Sequence, residues 1–185
     1  MIKVYEFIRT QNHFYMVQEY ANGGSLQTVL DVKGVFPEKI AKKVLKQIVD
    51  GLTAMYKLKV VHRDLKLDNI LISFPNLGEK ITKEELKQID MATEPFCVKI
   101  ADLGYSRMID DEEKAMTGCG TPLQMAPEIL FAKGYNYKVD VWAMGALYFT
   151  MLTNMFVFNA DSMRQLEHRV HQGNWIWPKK VDFSL

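Results

Sequence analysis

The eight residues His62-Arg63-Asp64-Leu65-Lys66-Leu67-Asp68-Asn69 bring a carboxylate, an ammonium and a carboxamide into one short stretch of chain. Moving a phosphoryl group onto a hydroxyl needs such a set: a carboxylate to take the hydroxyl proton, an oxygen ligand for Mg²⁺, a cation near the moving group, and a rigid support. Asp64, Asn69 and Lys66 supply the first three from a single loop. A charged loop containing His, Asp and Asn is by itself a weak signal; the eight residues in this order are a specific one.

The support has to come from the flanking elements. Val60-Val61 and Ile70-Leu71-Ile72 are short apolar runs on either side of the loop, Cys97-Val98-Lys99-Ile100 is a third, and each reads as a strand. Residues 2–9 and 13–20 are rich in β-branched and aromatic types and predict a hairpin turning at Thr10-Gln11-Asn12. Ala21-Asn22-Gly23-Gly24 breaks that pattern, and Ser25 is placed to cap a short helix starting at Leu26. Pro37 opens a long helix whose apolar stripe is Ile40, Val44, Leu45, Ile48, Val49, Leu52, Met55 and Tyr56. Lys39, Lys42, Lys43, Lys46 and Asp50 lie off that stripe, on a solvated face. Ser73 to Phe96 is polar and charged, and the pair Thr82 and Glu85 predicts a capping box on a small surface helix. An apolar helix follows over Val139 to Phe158, then an amphipathic one begun by Ser162 with Gln165 and ended by Gly173.

With 185 residues, 48% of them hydrophobic, the chain can bury one good core, so one globular domain is expected. Its 23 basic and 22 acidic residues leave a net charge of +1, which supports neither a nucleic-acid surface nor a polybasic membrane patch. Two cysteines, Cys97 and Cys119, cannot build a disulfide scaffold, and the N-terminus has no apolar signal core, so the chain reads as reduced and cytoplasmic. The segment Val139 to Phe158 carries Asp140, Thr150, Thr153 and Asn154. An acid in lipid costs about 2.5–3.5 kcal/mol, so this helix is expected at the centre of a soluble domain and not across a bilayer. His168 and His171 lie three apart, but no cysteine or third histidine is near, and a surface helix explains them better than a metal site.

The loop 62–69 resembles the catalytic loop of eukaryotic protein kinases, and Lys66 is the form seen in their serine/threonine branch. Further motifs follow in the family's order. Asp102-Leu103-Gly104 stands where the family has its Mg²⁺-binding Asp-Phe-Gly, with Leu for Phe at a position that only packs. Gly120-Thr121-Pro122 and Ala126-Pro127-Glu128 resemble the end of the activation segment, and Asp140-Val141-Trp142-Ala143-Met144-Gly145 resembles the start of the buried central helix. The stretch 120–128, with Tyr135 to Trp142, is similar to the Unc-51-like, autophagy-initiating branch, and calcium/calmodulin-dependent and AMP-activated relatives compete for the match.

The resemblance implies an α+β architecture. Residues 1–20 would be the last two strands of the small lobe and the start of the hinge; residues 21–185 would be a mostly helical, incomplete large lobe with an insertion at 73–96, which could equally be a private surface decoration. It implies ATP and Mg²⁺ as cofactors and protein serine or threonine as acceptor. Asp64 would be the base, Asn69 and Asp102 would hold metal, Lys66 would stabilise the transferring group, and Thr121 would hydrogen-bond Asp64 and Lys66. Gln18, Glu19 and Ala21 would form the adenine-binding hinge, with Leu71 under the purine. Val4, His62 and Leu103 match three positions of a packed column that links the lobes. Arg63 beside Asp64 implies regulation by activation-segment phosphorylation, with Thr117 as the acceptor for an activating kinase. Tyr105 after Gly104 hints at serine over threonine as acceptor, and Ser25 makes a strong need for upstream arginine doubtful.

The sequence also departs from the family. A glycine-rich loop, the strand lysine that grips the phosphates and its helical glutamate partner are not found, and Lys3 does not replace that lysine. An arginine expected to pair with Glu128 is also missing, and a buried, unpaired Glu128 would cost on the order of 3–5 kcal/mol. The expectation is therefore a kinase whose given residues transfer phosphate poorly on their own, with a non-catalytic binding module as the competing reading.

Overall fold

Short apolar runs bounded by turn residues can pair only in small ladders. The computed structural model, which describes residues 1–109 and 120–175, contains three such ladders among those residues. In chain order the elements are β1 (Val4–Arg9), β2 (Phe14–Gln18), α1 (Leu26–Lys33), α2 (Glu38–Lys57), β3 (Val60–Val61), β4 (Ile70–Ser73), α3 (Lys83–Gln88), β5 (Cys97–Ile100), β6 (Arg107–Met108), α4 (Pro127–Leu130), α5 (Lys138–Thr153) and α6 (Met163–Gln172), with 3-10 turns at Leu67–Asn69 and Pro122–Gln124. β1 pairs with β2, β3 with β6 and β4 with β5, all antiparallel. Helices dominate and the strands stay in separate pairs, so the expected α+β class holds.

The main core forms where α1, α2 and α5 close over β4 and β5. The buried face of α2 is Ile40, Ala41, Val44, Ile48, Leu52 and Met55. It is narrower than the stripe expected from the sequence: Val49 is exposed, and Leu45 and Tyr56 are half-buried at its margins. The off-stripe lysines are solvated as expected, although Lys43 also places its ammonium 4.4 Å from the centre of the Phe96 ring. Along β4 the burial alternates, with Ile70 and Ile72 in the core and Leu71 and Ser73 turned away from it, as period-two geometry requires. A second, smaller core joins Val61, Ile109, Ala126, Ile129, Tyr135 and Val139 under the loop 62–69.

Helix α5 ends at Thr153, capped by Asn154 in the left-handed conformation, five residues before Phe158, where the apolar sequence pattern ends. It is not buried all round: Val141 and Trp142 are partly open, and Trp142 stacks on Phe158 with ring planes 5° apart. Among the described residues no helix is long and apolar enough to cross a membrane. Three helix starts form as predicted, that of α1 with the Ser25 hydroxyl accepting the Thr28 N–H at 3.2 Å. Thr82 and Glu85 make a reciprocal capping box on α3, while at α6 the Ser162 hydroxyl accepts from the Gln165 N–H, but the Gln165 amide reaches Asp161 rather than Ser162.

The segment between β4 and β5 departs most from its polar appearance. Phe74, Leu86, Met91 and Phe96 all join the main core, with Phe74 fully enclosed. Asn22 holds the start of this segment from the loop before α1: its Nδ2 donates to the Phe74 and Gly78 carbonyls at 3.0 and 2.8 Å, and its Oδ1 accepts from the Phe74 N–H at 2.8 Å. A surface decoration could lose an apolar side chain at little cost; this one cannot. Phe74→Ala is expected to lower the unfolding free energy by about 3–5 kcal/mol in urea titration, whereas a loss within about 0.5 kcal/mol, the usual range for surface sites, would place the segment outside the cooperative unit.

Candidate active site

Between β3 and β4 the chain forms no regular element before the short 3-10 turn at Leu67–Asn69, so the polar backbone there must be satisfied from elsewhere. Asp140, on the first turn of α5, supplies the acceptors. Its two carboxylate oxygens take the His62 N–H at 2.8 Å and the Arg63 N–H at 2.9 Å. Arg63 sits at φ 70°, a left-handed conformation that costs a side-chain-bearing residue on the order of 1–3 kcal/mol and persists only where neighbours hold it. Burial pushes the Asp140 carboxyl upward, against the two backbone donors that favour its charged form. Tyr56 adds a long contact from α2, its hydroxyl 3.5 Å from Asp140, and burial together with the Asp140 charge raises its phenol well above the usual range.

His62 is completely buried and both ring nitrogens are used. The Asp64 N–H donates to Nδ1 at 3.3 Å, which leaves the proton on Nε2, 3.0 Å from the Ala101 carbonyl. One ring therefore ties the loop to the residue before Asp102. A second strut runs in parallel, from the Ala101 N–H to the Asn69 carbonyl at 2.8 Å.

The Asp64 carboxylate is the meeting point of the site. Thr121 Oγ1 donates to its Oδ1 at 3.0 Å. Asn69 Nδ2 donates to Oδ2 at 3.1 Å and to the Asp64 carbonyl at 2.9 Å, and Lys66 Nζ lies 3.0 Å from Oδ2. The hydrogen bond to Asp64 raises the Lys66 ammonium above its ordinary value, burial opposes this, and the charges of Asp64, Asp68 and Asp102 add to it. Because Asn69 commits both amide protons to Asp64, its Oδ1 is the atom left to ligate. Asp102 is exposed at φ 59°, with one carboxylate oxygen accepting the Gly104 N–H at 3.1 Å and the other available. Two hard oxygens from separate elements match the way Mg²⁺ is held, by one or two protein oxygens completed by phosphates and water. Among the described residues no cluster of three His, Cys, Asp or Glu side chains could hold a metal by itself, and His168 and His171 are both exposed on α6.

The residues expected to form the hinge lie at the end of β2 and directly after it. Gln18 is exposed, Glu19 is half-buried and Ala21 is buried. Glu19 accepts from the Lys3 N–H at 2.6 Å and from Lys99 Nζ on β5 at 3.1 Å. Its own burial acts to raise its carboxyl, and these two donors outweigh that and hold it below the ordinary range. The Ala21 N–H meets no backbone acceptor among the described residues. Leu71 bridges to Ser25 beside the paired contacts Gly23 N–H to Ile72 carbonyl and Ile72 N–H to Gly24 carbonyl, so it lies next to the loop before α1, facing away from the core.

Two expectations are revised. The column Val4, His62, Leu103 is not packed: only His62 is buried, while Val4 and Leu103 are 49% and 42% exposed because no described side chain covers them. Glu128 is half-buried, which removes the basis for the penalty expected of a buried, unpaired carboxylate. Arg63 already has partners, its Nε donating to the Tyr105 carbonyl at 2.6 Å and its Nη1 to the Tyr135 hydroxyl at 3.1 Å. Thr117 lies outside the described residues. Two contributors were missed by sequence reasoning as parts of the site. Tyr135 had no legible signal, whereas Asp140, a lone acid opening an apolar helix, was itself one.

Gly120 marks the tightest approach. At φ 112° its Cα faces the loop, and a Cβ there would stand 2.6 Å from the Arg63 carbonyl oxygen, closer than any real side chain approaches backbone. Gly120→Ala is expected to cost about 1–3 kcal/mol in chemical unfolding and to break the adjacent Thr121–Asp64 hydrogen bond; an unchanged midpoint would show that this approach is not required.

A family model described as protein kinase domain matches residues 1–184. Similar chains include a probable cell cycle serine/threonine-protein kinase CDC5 homolog of Encephalitozoon cuniculi, 32% identical over all of this chain and 35% of its own length. The serine/threonine-protein kinase ATG1a of Arabidopsis thaliana is 34% identical over 92% of this chain and 24% of its own, and the human serine/threonine-protein kinase ULK1 is 32% identical over 90% and 15%. The chain thus spans from 15% to 35% of the length of these relatives.

Proposed function

The chain belongs to the protein kinase family, with serine/threonine kinases among its relatives, and on that premise we propose that its site transfers the γ-phosphoryl group of ATP to a serine or threonine hydroxyl of a protein. The observation that carries this reading is the convergence of Thr121, Asn69 and Lys66 on the Asp64 carboxylate. Those contacts fix the carboxylate in one orientation and leave Oδ1 with a lone pair for the incoming hydroxyl proton, the role of a general base. Lys66, held protonated by the same carboxylate, is placed to offset charge on the transferring group. Asn69 Oδ1 and the Asp102 carboxylate would hold Mg²⁺, which when bound neutralises and aligns phosphate oxygens. The Glu19 carbonyl and Ala21 N–H offer an acceptor and a donor to adenine, Gln18 stands at the entrance, and Leu71 offers an apolar surface.

In this reading residues 1–20 are small-lobe strands and hinge, residues 21–185 belong to the large lobe, and 73–96 is an insertion anchored in its core. Tyr105 beside the site favours serine as acceptor. Phosphorylation of Thr117 by an activating kinase would offer Arg63 a charged partner in place of the two neutral acceptors it now holds.

Thermal unfolding with Mg²⁺-ATP tests the nucleotide half of the proposal. Ligand at a hundred times its dissociation constant should add about 2.7 kcal/mol of stability. The shift should vanish in Asp102→Asn and survive in Asp64→Asn, which should nonetheless lose transfer to a serine peptide. A chain that melts cooperatively with no shift at all would favour the non-catalytic binding module.

A further inference from the structure

The corner between α1 and α2 faces the turn after α3 across an open groove of about 520 Å³, on elements separate from the loop 62–69. That volume lies within the ~300–1,000 Å³ range of ligand-sized sites. Its floor is apolar, since Phe36 and Met91 are buried members of the main core. One wall presents Val35, 52% exposed, and the other presents Ile89, half-buried. Lys33 ties the two walls together, its Nζ donating to the Lys87 and Ile89 carbonyls at 3.2 and 2.6 Å, so the groove is built without a ligand.

The charges on its rim are unbalanced. Asp90 is exposed on the same rim, but its carboxylate accepts the Ala92 N–H at 2.9 Å and the Thr93 hydroxyl at 3.0 Å and its charge acts on Lys33, so it leaves Lys39 and Lys87 unbalanced. Lys39 and Lys87 are exposed and have no ion pair among the described residues. An exposed aliphatic side chain over an apolar floor suits a small apolar anchor, and two unpaired ammoniums beside it select against basic segments.

We propose that this groove docks an acidic, apolar peptide segment of a partner protein, with an aliphatic side chain seated between Val35 and Ile89 and carboxylates meeting Lys39 and Lys87. The apolar contact supplies affinity, and the lysines supply attraction and register. Docking here requires no chemistry at Asp64 and stands or falls separately from phosphoryl transfer.

Fluorescence anisotropy of a labelled decapeptide, two leucines flanked by glutamates, tests this on the full chain. One twin peptide carries lysine for glutamate, and another carries serine for leucine. Saturable binding that weakens with added salt is expected, with losses of at least about tenfold for Val35→Ser and for the double variant Lys39→Glu/Lys87→Glu. These positions are exposed, so thermal melting of each variant should remain cooperative and near that of the parent. Equal binding of either twin, indifference to the double variant, or no saturation up to about 1 mM peptide would overturn the proposal. Self-association of the chain that the double variant abolishes would also overturn it, making the occupant a second copy.

Discussion

Two neighbouring backbone N–H groups, those of His62 and Arg63, have no ladder to join, and the buried carboxylate of Asp140 takes both. The arrangement around the loop follows from this. A buried carboxylate costs several kcal/mol unless its oxygens are filled, and a buried N–H costs about 1–3 kcal/mol if it is not. Each group answers the other's need, which holds Arg63 in its left-handed conformation and fixes where α5 must begin. With the loop pinned at that point, the His62 ring and the Asn69 carbonyl can both reach Ala101, and the Asp64 and Asp102 segments become one rigid body.

This anchoring contrasts with the hairpin β1–β2, every residue of which is exposed. The hairpin touches the rest through a few directional contacts, chiefly the Ile2 N–H to the Ile100 carbonyl at 2.8 Å and the Lys99–Glu19 pair at 3.1 Å. An element attached by hydrogen bonds to one strand and not by a shared apolar face can shift with little loss of buried area. The apolar surface that would resist such motion, including Phe7, Phe14 and Tyr15, faces solvent. Asp64, Lys66 and Asn69 sit on the anchored part of the chain, and Glu19 sits where the hairpin meets β5.

Much of this was legible because local rules agreed with the fold. The hairpin, the helix after Pro37 and the caps at Ser25, Thr82 and Ser162 are set by neighbours a few residues away, so period and capping chemistry located them. The triad Asp64, Lys66 and Asn69 was visible for a similar reason, since it lies on one loop. Other features were not visible because they depend on distant partners. Composition made the segment 73–96 look like surface, yet four of its apolar side chains fill spaces left by α1, α2 and β5. The column through Val4, His62 and Leu103 matched in pattern and failed in packing, because pattern records side-chain type and packing requires a covering surface.

By itself the sequence determined the chemistry available: a proton acceptor, a cation and hard oxygen ligands at Asp64, Lys66, Asn69 and Asp102, in an order specific enough to imply the family. It also determined the local elements, because helix and strand periods are properties of contiguous residues. Only the tertiary structure decided that Asn69 turns its amide protons to Asp64 and frees its oxygen, and that Thr121, 57 residues from Asp64, completes that carboxylate. It also decided that Arg63 has neutral partners and that Lys39 and Lys87, beside an apolar floor, have no ion pair among the described residues. Those outcomes depend on distance and burial between residues far apart in the chain, and no local pattern encodes either until the core has closed.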